Sequence, residues 1–264
     1  MPTILEEVVA AKKIEIEKFK ALSSIERFEK DGFFWQIRSR SLVKGLLMPG
    51  STGVIAEFKR KSPSKGWFKT REIEVEPVIL KYNKSSAGIS VLTNEEFFGG
   101  DLDDLIQTKV IADVPVLRKD FIVDRWQIAE SKAFGADVIL LIAACLSPAQ
   151  VKEFAGYAHE LGLESILEIH NEKELDHYCD EVDMIGVNNR DLNSFKVDIQ
   201  VSLDLIKKLP AGKPAIAESG ITEVTVIKQL RAAGFKGFLI GERFMRENDP
   251  GASFEEFMSN LATK

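Results

Sequence analysis

Eight short runs rich in Val, Ile and Leu, spaced along residues 54–240 and alternating with helical stretches, restrict this chain more than any other feature. The runs are 54–58, 88–92, 114–118, 137–142, 164–169, 183–187, 214–217 and 237–240. The segments that read as helices are 73–85, 101–108, 124–134, 148–161, 171–179, 199–208, 222–233 and 251–262. Several of them end in glycine, at Gly135, Gly162 and Gly234, a common helix stop because glycine enters the left-handed region without steric cost. Strands that are apolar along their whole length are buried on both faces, as parallel strands are when crossover helices cover them. Eight such units over about 210 residues match a closed α/β barrel, the (β/α)8 TIM barrel, better than an open doubly wound sheet.

The residues before the first run have a different character. Ile4, Leu5, Val8 and Val9, then Ile14, Ile16 and Phe19, are spaced for an amphipathic helix with Glu and Lys on its other face. Phe33, Phe34, Trp35, Ile37, Leu42 and Val43 form a second apolar cluster that so short a segment cannot bury alone, so it is expected to pack on the main body. Pro49-Gly50-Ser51-Thr52-Gly53 breaks the pattern. The expected division is therefore an N-terminal helical extension over 1–48, packed on a barrel over 49–264 that carries the site.

Composition narrows the function. At 264 residues the chain can bury one large core or two small ones. No apolar run approaches the roughly 20 residues of a membrane span, and the start of the chain lacks a basic-then-apolar signal layout, so a cytoplasmic location away from membranes is expected. Cys145 and Cys179 have neither disulfide nor metal-ligand spacing. The net charge of -6 argues against sequence-independent nucleic-acid binding, while local basic clusters suit a small phosphorylated metabolite.

A barrel converts scattered polar residues into one address, because the C-terminal ends of its strands converge on one face. Those ends supply Glu57 and Lys59, Thr93, Arg118 and Lys119, Glu168, Asn188 and Arg190, Glu218 and Ser219, and Gly241. Glu57 and Lys59 share a face of the first strand, and Ser62-Pro63-Ser64 beyond them turns the chain out of the sheet. Ser219-Gly220 and Gly241-Glu242 follow the last two strands, where phosphate-binding barrels hold their anion and where glycine permits close approach to the backbone. No nucleophilic triad is evident: of the three histidines only His170 stands near a strand end, and His159 and His177 read as surface residues of helices. No metal trio and no dinucleotide glycine motif follows the first strand. Proton transfer by Lys and Glu remains, with Glu57 and Lys59 placed to tune Lys119 in a direction that spacing alone leaves open.

These residues resemble the indole-3-glycerol phosphate synthase family of tryptophan biosynthesis. The likeness rests on Ala56-Glu57-Phe58-Lys59-Arg60-Lys61-Ser62-Pro63-Ser64, Ser90-Val91-Leu92-Thr93, Leu117-Arg118-Lys119-Asp120-Phe121, Leu167-Glu168-Ile169-His170, Ile185-Gly186-Val187-Asn188-Asn189-Arg190-Asp191-Leu192, Ala217-Glu218-Ser219-Gly220-Ile221 and Leu239-Ile240-Gly241-Glu242, in the family's order. It implies closure of the indole ring of 1-(2-carboxyphenylamino)-1-deoxyribulose 5-phosphate with loss of carbon dioxide and water, without cofactor or metal. By this resemblance Lys119 is the general acid on the substrate carbonyl, Lys59 holds the substrate carboxylate and protonates a leaving hydroxyl, and Glu168 is acid or base in the dehydration. Glu57 and Asn188 orient hydroxyl and amine groups. Ser62, Ser219, Gly220, Gly241 and Glu242 surround the phosphate, the last two through backbone N–H groups; Ser64, whose hydroxyl follows Ser62 in the turn, and Arg190 and Glu218 are also expected to contact substrate. Phe98, Phe121, Ile142 and Leu192 line a slot for the anthranilate ring. The Glu242 carboxylate would repel a phosphate unless its side chain turns away. The family also carries an extra helical piece over the barrel mouth, which the N-terminal segment fits.

Other readings share parts of this inventory. A phosphosugar isomerase would use the phosphate end with a different acid and base, and a Schiff-base aldolase would use Lys119 or Lys59 as nucleophile. A barrel that only binds a phosphorylated metabolite would not need proton donors and acceptors together. The expected partner is the small phosphorylated substrate of a monomer, with a partner enzyme of the same pathway left open.

Overall fold

The computed structural model describes residues 3–70, 72–192 and 194–262, so the outermost ends of the expected extension and barrel, 1–2 and 263–264, lie outside the described residues. Eight parallel strands close into a barrel: β1 (Val54–Phe58), β4 (Gly88–Leu92), β5 (Val116–Lys119), β6 (Val138–Ile142), β7 (Glu164–Ile169), β8 (Met184–Asn188), β9 (Ala215–Glu218) and β10 (Gly237–Ile240). Neighbours in sequence are neighbours in space, and β1 closes the ring by pairing with β10 at Ile55↔Leu239 and with β4 at Glu57↔Ser90. A small hairpin of β2 (Lys61–Ser62) and β3 (Gly66–Trp67) follows β1. The helices outside or flanking the ring are α4 (Val75–Tyr82), α5 (Glu95–Phe98), α6 (Leu102–Ile111), α7 (Arg125–Ala133), α8 (Pro148–Glu160), α9 (Gln200–Leu205), α10 (Val224–Ala233), α11 (Glu242–Met245) and α12 (Pro250–Ala262). Ser147 caps α8 ahead of Pro148, which loses nothing as the first helical residue because its missing N–H has no intrahelical partner there.

Pleat alternation divides the core in two. Ile55, Leu117, Leu140, Ile166, Ile216 and Leu239 fill the barrel interior, while Ala56, Phe58, Val91, Ile139, Leu141, Leu167 and Val187 face the helical shell. The N-terminal residues form α1 (Ile4–Lys20), α2 (Ile25–Asp31) and α3 (Leu42–Leu47). They meet the barrel at both ends. Leu42 and Leu46 of α3 join the interior cluster from the bottom, where a Cβ on Gly88 would stand 2.8 Å from Leu42 Cδ1 and where Glu164 accepts from the Leu42 and Val43 N–H groups at 2.7 and 3.0 Å. The α1 helix lies at the opposite end, tied to β5 through Lys12 and Asp120.

Several elements depart from the pattern reading for local reasons. The third run begins at Val116, not 114, because Pro115 has no N–H to pair, and Val116 N–H is taken by Asp137 at 2.9 Å. Residues 172–177 form a 3-10 turn where a helix over 171–179 was expected: Glu174 folds back onto His170 N–H and Asn171 Nδ2, each at 2.7 Å. The stretch expected as a helix over 199–208 is α9 continued by a 3-10 turn over Ile206–Lys208. The chain leaves the barrel at Phe58, and Lys61–Ser62 re-pairs as β2 around the Pro63-Ser64-Lys65 turn. In α1 the buried stripe is Val8, Lys12 and Ile16, so Ile14 and Phe19 face solvent, and Phe33 and Ile37 of the second apolar cluster are exposed as well.

Candidate active site

The strand ends open into a cavity of about 540 Å³. It gathers all the residues expected to act there. Glu57, Lys59, Lys119, Glu168, Asn188 and Ser219 line it, as do the further residues Glu218, Arg190, Ser62, Ser64, Gly220, Gly241 and Glu242. Phe98, Phe121, Ile142 and Leu192 supply apolar wall, with the Phe98 and Phe121 rings 6.3 Å apart.

The centre of the cavity is a chain of charges. Lys119 Nζ stands 2.9 Å from Glu168 Oε2 and 2.9 Å from Glu218 Oε2. Glu168 Oε1 accepts from Asn188 Nδ2 at 3.1 Å, and Lys59 Nζ donates to Glu57 Oε1 at 2.6 Å. Burial by itself would lower the Lys119 ammonium, but Glu168, Glu218 and Glu57 outweigh it and raise it above the ordinary lysine range. That settles the direction the sequence left open. Burial would likewise push Glu168 up, yet Lys119 and His170 hold it well below the usual carboxylate range. Glu218 goes the other way: burial pushes it up to about 7 against the pull of Lys119, with Glu168 adding repulsion. The asymmetry follows from the partners, since Glu168 has Asn188 and His170 in addition to Lys119, whereas Glu218 Oε1 is buried without a hydrogen-bond partner among the described residues.

Along the same cavity lies a second cluster. Glu242 is 2.6 Å from Lys65 Nζ, 3.3 Å from Arg190 Nη2 and 3.4 Å from Arg246 Nη1. Although burial opposes it, Lys65, Lys59 and Arg246 lower its proton affinity. Ser62 Oγ is buried and unpartnered among the described residues. Ser219 adopts a left-handed backbone at φ 65, followed by Gly220 at φ 76, a conformation costly for serine and stored beside the cavity. Asn189 holds that turn: Nδ2 donates to Ser219 O at 3.1 Å, and Oδ1 accepts from Ser202. Alternation thus sends Asn188 into the cavity and Asn189 behind it. The space that Gly241 frees is taken by Glu57, whose Cβ would lie 2.8 Å from a Cβ at that position, so this glycine serves strand packing.

Two strand-end residues are not at the mouth. Arg118 points into the helical shell, with Nη1 2.8 Å from Glu130 and Nη2 3.1 Å from Asp120, and Thr93 accepts from Arg118 and donates to Asp120 behind the wall. They lie on the outward side of the pleat from Lys119. Residue type alone missed Lys65 and Arg246, although Glu242 at the start of α11 and Arg246 at its C-cap, i,i+4 apart, were a usable signal. It also missed the cavity wall made by Ile4, Leu5 and Val8 of α1, for which nothing in residue type distinguishes lining from packing. His177 is half-buried, with Nε2 2.9 Å from Leu146 O, whereas His159 is exposed beside Asp183. Cys145 and Cys179 are free thiols.

Known proteins bear on this geometry in two ways. Solved structures match the fold: a mutant tryptophan synthase alpha-subunit from Pyrococcus furiosus superposes with a TM-score of 0.60 at 14% identity, over 80% of this chain and 98% of that one. An N-acetylmannosamine-6-phosphate 2-epimerase from Clostridium perfringens gives 0.58 at 15% identity, over 79% and 93%. Sequence relatives are far nearer. The indole-3-glycerol phosphate synthase of Bacteroides thetaiotaomicron is 45% identical over 262 residues, covering 99% of this chain and 100% of that protein. That of Variovorax paradoxus is 41% identical over 259 residues, covering 95% and 97%. A family model described as indole-3-glycerol phosphate synthase matches residues 5–257, and with that span and these identities the chain belongs to the indole-3-glycerol phosphate synthase family.

Proposed function

We propose that the cavity closes the indole ring of 1-(2-carboxyphenylamino)-1-deoxyribulose 5-phosphate, releasing carbon dioxide and water, as a carboxy-lyase that works by proton transfer. The observation that carries this reading is the Lys119 ammonium set 2.9 Å from each of two buried carboxylates in a cavity with an apolar wall. An ammonium so paired is a proton donor and a poor nucleophile, which favours acid catalysis over a Schiff base. Lys119 polarises and protonates the substrate carbonyl as the carboxyl-bearing ring carbon attacks, and loss of carbon dioxide restores the aromatic ring. Glu218, with a proton affinity near neutrality, returns a proton to Lys119, and Glu168, held as the anion, takes the proton lost in dehydration. Lys59 binds the substrate carboxylate and serves the leaving hydroxyl, while Glu57 and Asn188 orient hydroxyl and amine groups.

The anthranilate ring fits between Phe98, Phe121, Ile142 and Leu192. The phosphate lies by Ser62, Ser64, Ser219 and Gly220 and the backbone N–H groups of Gly241 and Glu242, where Lys65, Arg190 and Arg246 leave a positive surplus around Glu242. Within an extension over residues 1–48, α1 covers substrate while α3 seals the opposite end, and 49–264 is the catalytic barrel. Among the described residues no helix is long and apolar enough to cross a membrane, and we place the enzyme in the cytoplasm as a monomer without cofactor.

The test is an indole fluorescence assay on the carboxyphenylamino-deoxyribulose phosphate in buffer containing chelator. Product from wild type and none from Lys119→Ala supports the reading. No product from well-folded wild type withdraws it.

A further inference from the structure

His170 has no part in the chemistry above and does not line the cavity, yet it stands directly behind Glu168. Its ring is nearly buried, with a side-chain exposure of 9%. Nδ1 lies 3.1 Å from Glu174 Oε2, and Nε2 lies 3.2 Å from Glu168 Oε1, off the N–H axis. Glu174 is itself held by His170 N–H and by Asn171 Nδ2, each at 2.7 Å. Carboxylates only accept, whereas a neutral imidazole would turn a lone pair toward one of them, so a ring with a carboxylate at each nitrogen carries both protons. Glu168 meets Lys119 through its other oxygen, Oε2, and Asn188 through the same Oε1 that His170 approaches.

We propose that His170 is a positioning residue for Glu168: braced by Glu174, its imidazolium stands behind the carboxylate and fixes the orientation in which Glu168 meets Lys119 and Asn188. This rests on the reading of Glu168 as the base of the dehydration. The groups that face the ring are consistent with a permanently charged clamp. Besides Glu168 and Glu174 themselves, Cys145 of the 143–145 turn lies close enough to both carboxylates that they, with burial, push its thiol up to about 12. His177 makes its contacts with the carbonyls of Glu174 and Leu146, and Lys119 and Glu218 lie beyond Glu168. Burial would lower His170, but its two carboxylates push it up to about 10, so it holds its charge across neutral pH and does not shuttle protons.

The experiment measures kcat and KM for wild type, His170→Leu, His170→Gln and Glu174→Gln in the ring-closure assay. It is paired with imidazole ring nitrogen NMR, in which the one signal of three that His170→Gln removes is assigned to His170. The expected result for His170→Leu is a loss of about tenfold or more in kcat with KM within about twofold, a fraction of what a positioned acid or base contributes. His170→Gln, whose amide nitrogen reaches the place of Nε2, recovers part of the loss, and the His170 ring is doubly protonated at pH 8. A folded His170→Leu with wild-type kcat, a Gln variant no better than Leu, or a ring that titrates like free histidine overturns the proposal. If His170→Leu does not fold, Glu174→Gln keeps the imidazole: a lowered ring pKa with reduced kcat supports the clamp, and unchanged kcat overturns it. Wild-type turnover tests the reaction and the ring spectrum tests the clamp, so the two fail separately.

Discussion

Lys119, Glu168 and Glu218 form one buried charge centre but divide its charge unequally, because among the described residues Glu168 has Asn188 and His170 as further partners and Glu218 has none beyond Lys119. Lys119→Ala therefore removes the acid and also leaves two carboxylates facing each other. Ring closure should fall by about a thousandfold or more while inorganic phosphate still binds, as a phosphorus NMR titration beside the fluorescence assay would show. Glu218 governs the pH response. Its carboxyl is raised to about 7, so the folded chain holds this proton more tightly than the unfolded chain does. Both kcat/KM and this group's contribution to stability should decline as pH rises through that range, and Glu218→Gln should flatten the limb in a pH–rate profile. His170 is also raised, so its stabilisation is complete below its ordinary value of 6.5 and is lost as pH climbs through about 10. The difference in Tm between wild type and His170→Gln should narrow over that interval.

Among the elements, α3 and α1 separate stability from activity. Leu42, 1% exposed, seals the barrel at the end away from the cavity. Leu42→Ala should cost about 2–5 kcal/mol in denaturant unfolding with kcat within about twofold of wild type. Lys12 of α1 is buried against Asp120, the residue after Lys119, at 3.2 Å. Lys12→Ala should cost about 3 kcal/mol, because it leaves Asp120 with one cation fewer in the interior, and should lower kcat too, since Asp120 also anchors Thr93, Arg118 and the N–H of Phe121. A Lys12→Ala protein with unaltered turnover would disconnect α1 from the site.

At the scale of the whole molecule the N-terminal helices hold the barrel at both ends, and removal of residues 1–23 should take away the Ile4, Leu5 and Val8 wall together with the Lys12 tie. A fall of about a hundredfold in kcat/KM is expected, with α3 still sealing the bottom, as steady-state kinetics on the truncated chain would show. The barrel was legible in the sequence because strand and helix patterns are local: eight apolar runs and their glycine stops need only the period of the backbone. The mouth was legible for the same reason, since every parallel strand ends on one face, and Glu57, Lys119, Glu168 and Glu218 could be placed there by counting. Counting failed where one residue of pleat decides the side, as for Arg118 against Lys119, and where proline shortened β5. Proton affinities, the cations gathered around Glu242, the seal made by α3 and the clamp at His170 depend on burial and on distances between residues far apart in the chain. Sequence alone therefore determined the architecture and most of the strand-end residues at its mouth, Glu57, Lys59, Lys119, Glu168, Asn188 and Glu218 among them. Only the tertiary structure decided which carboxylate keeps a proton and which residue stands behind it, because those energies arise from packing that no local pattern encodes.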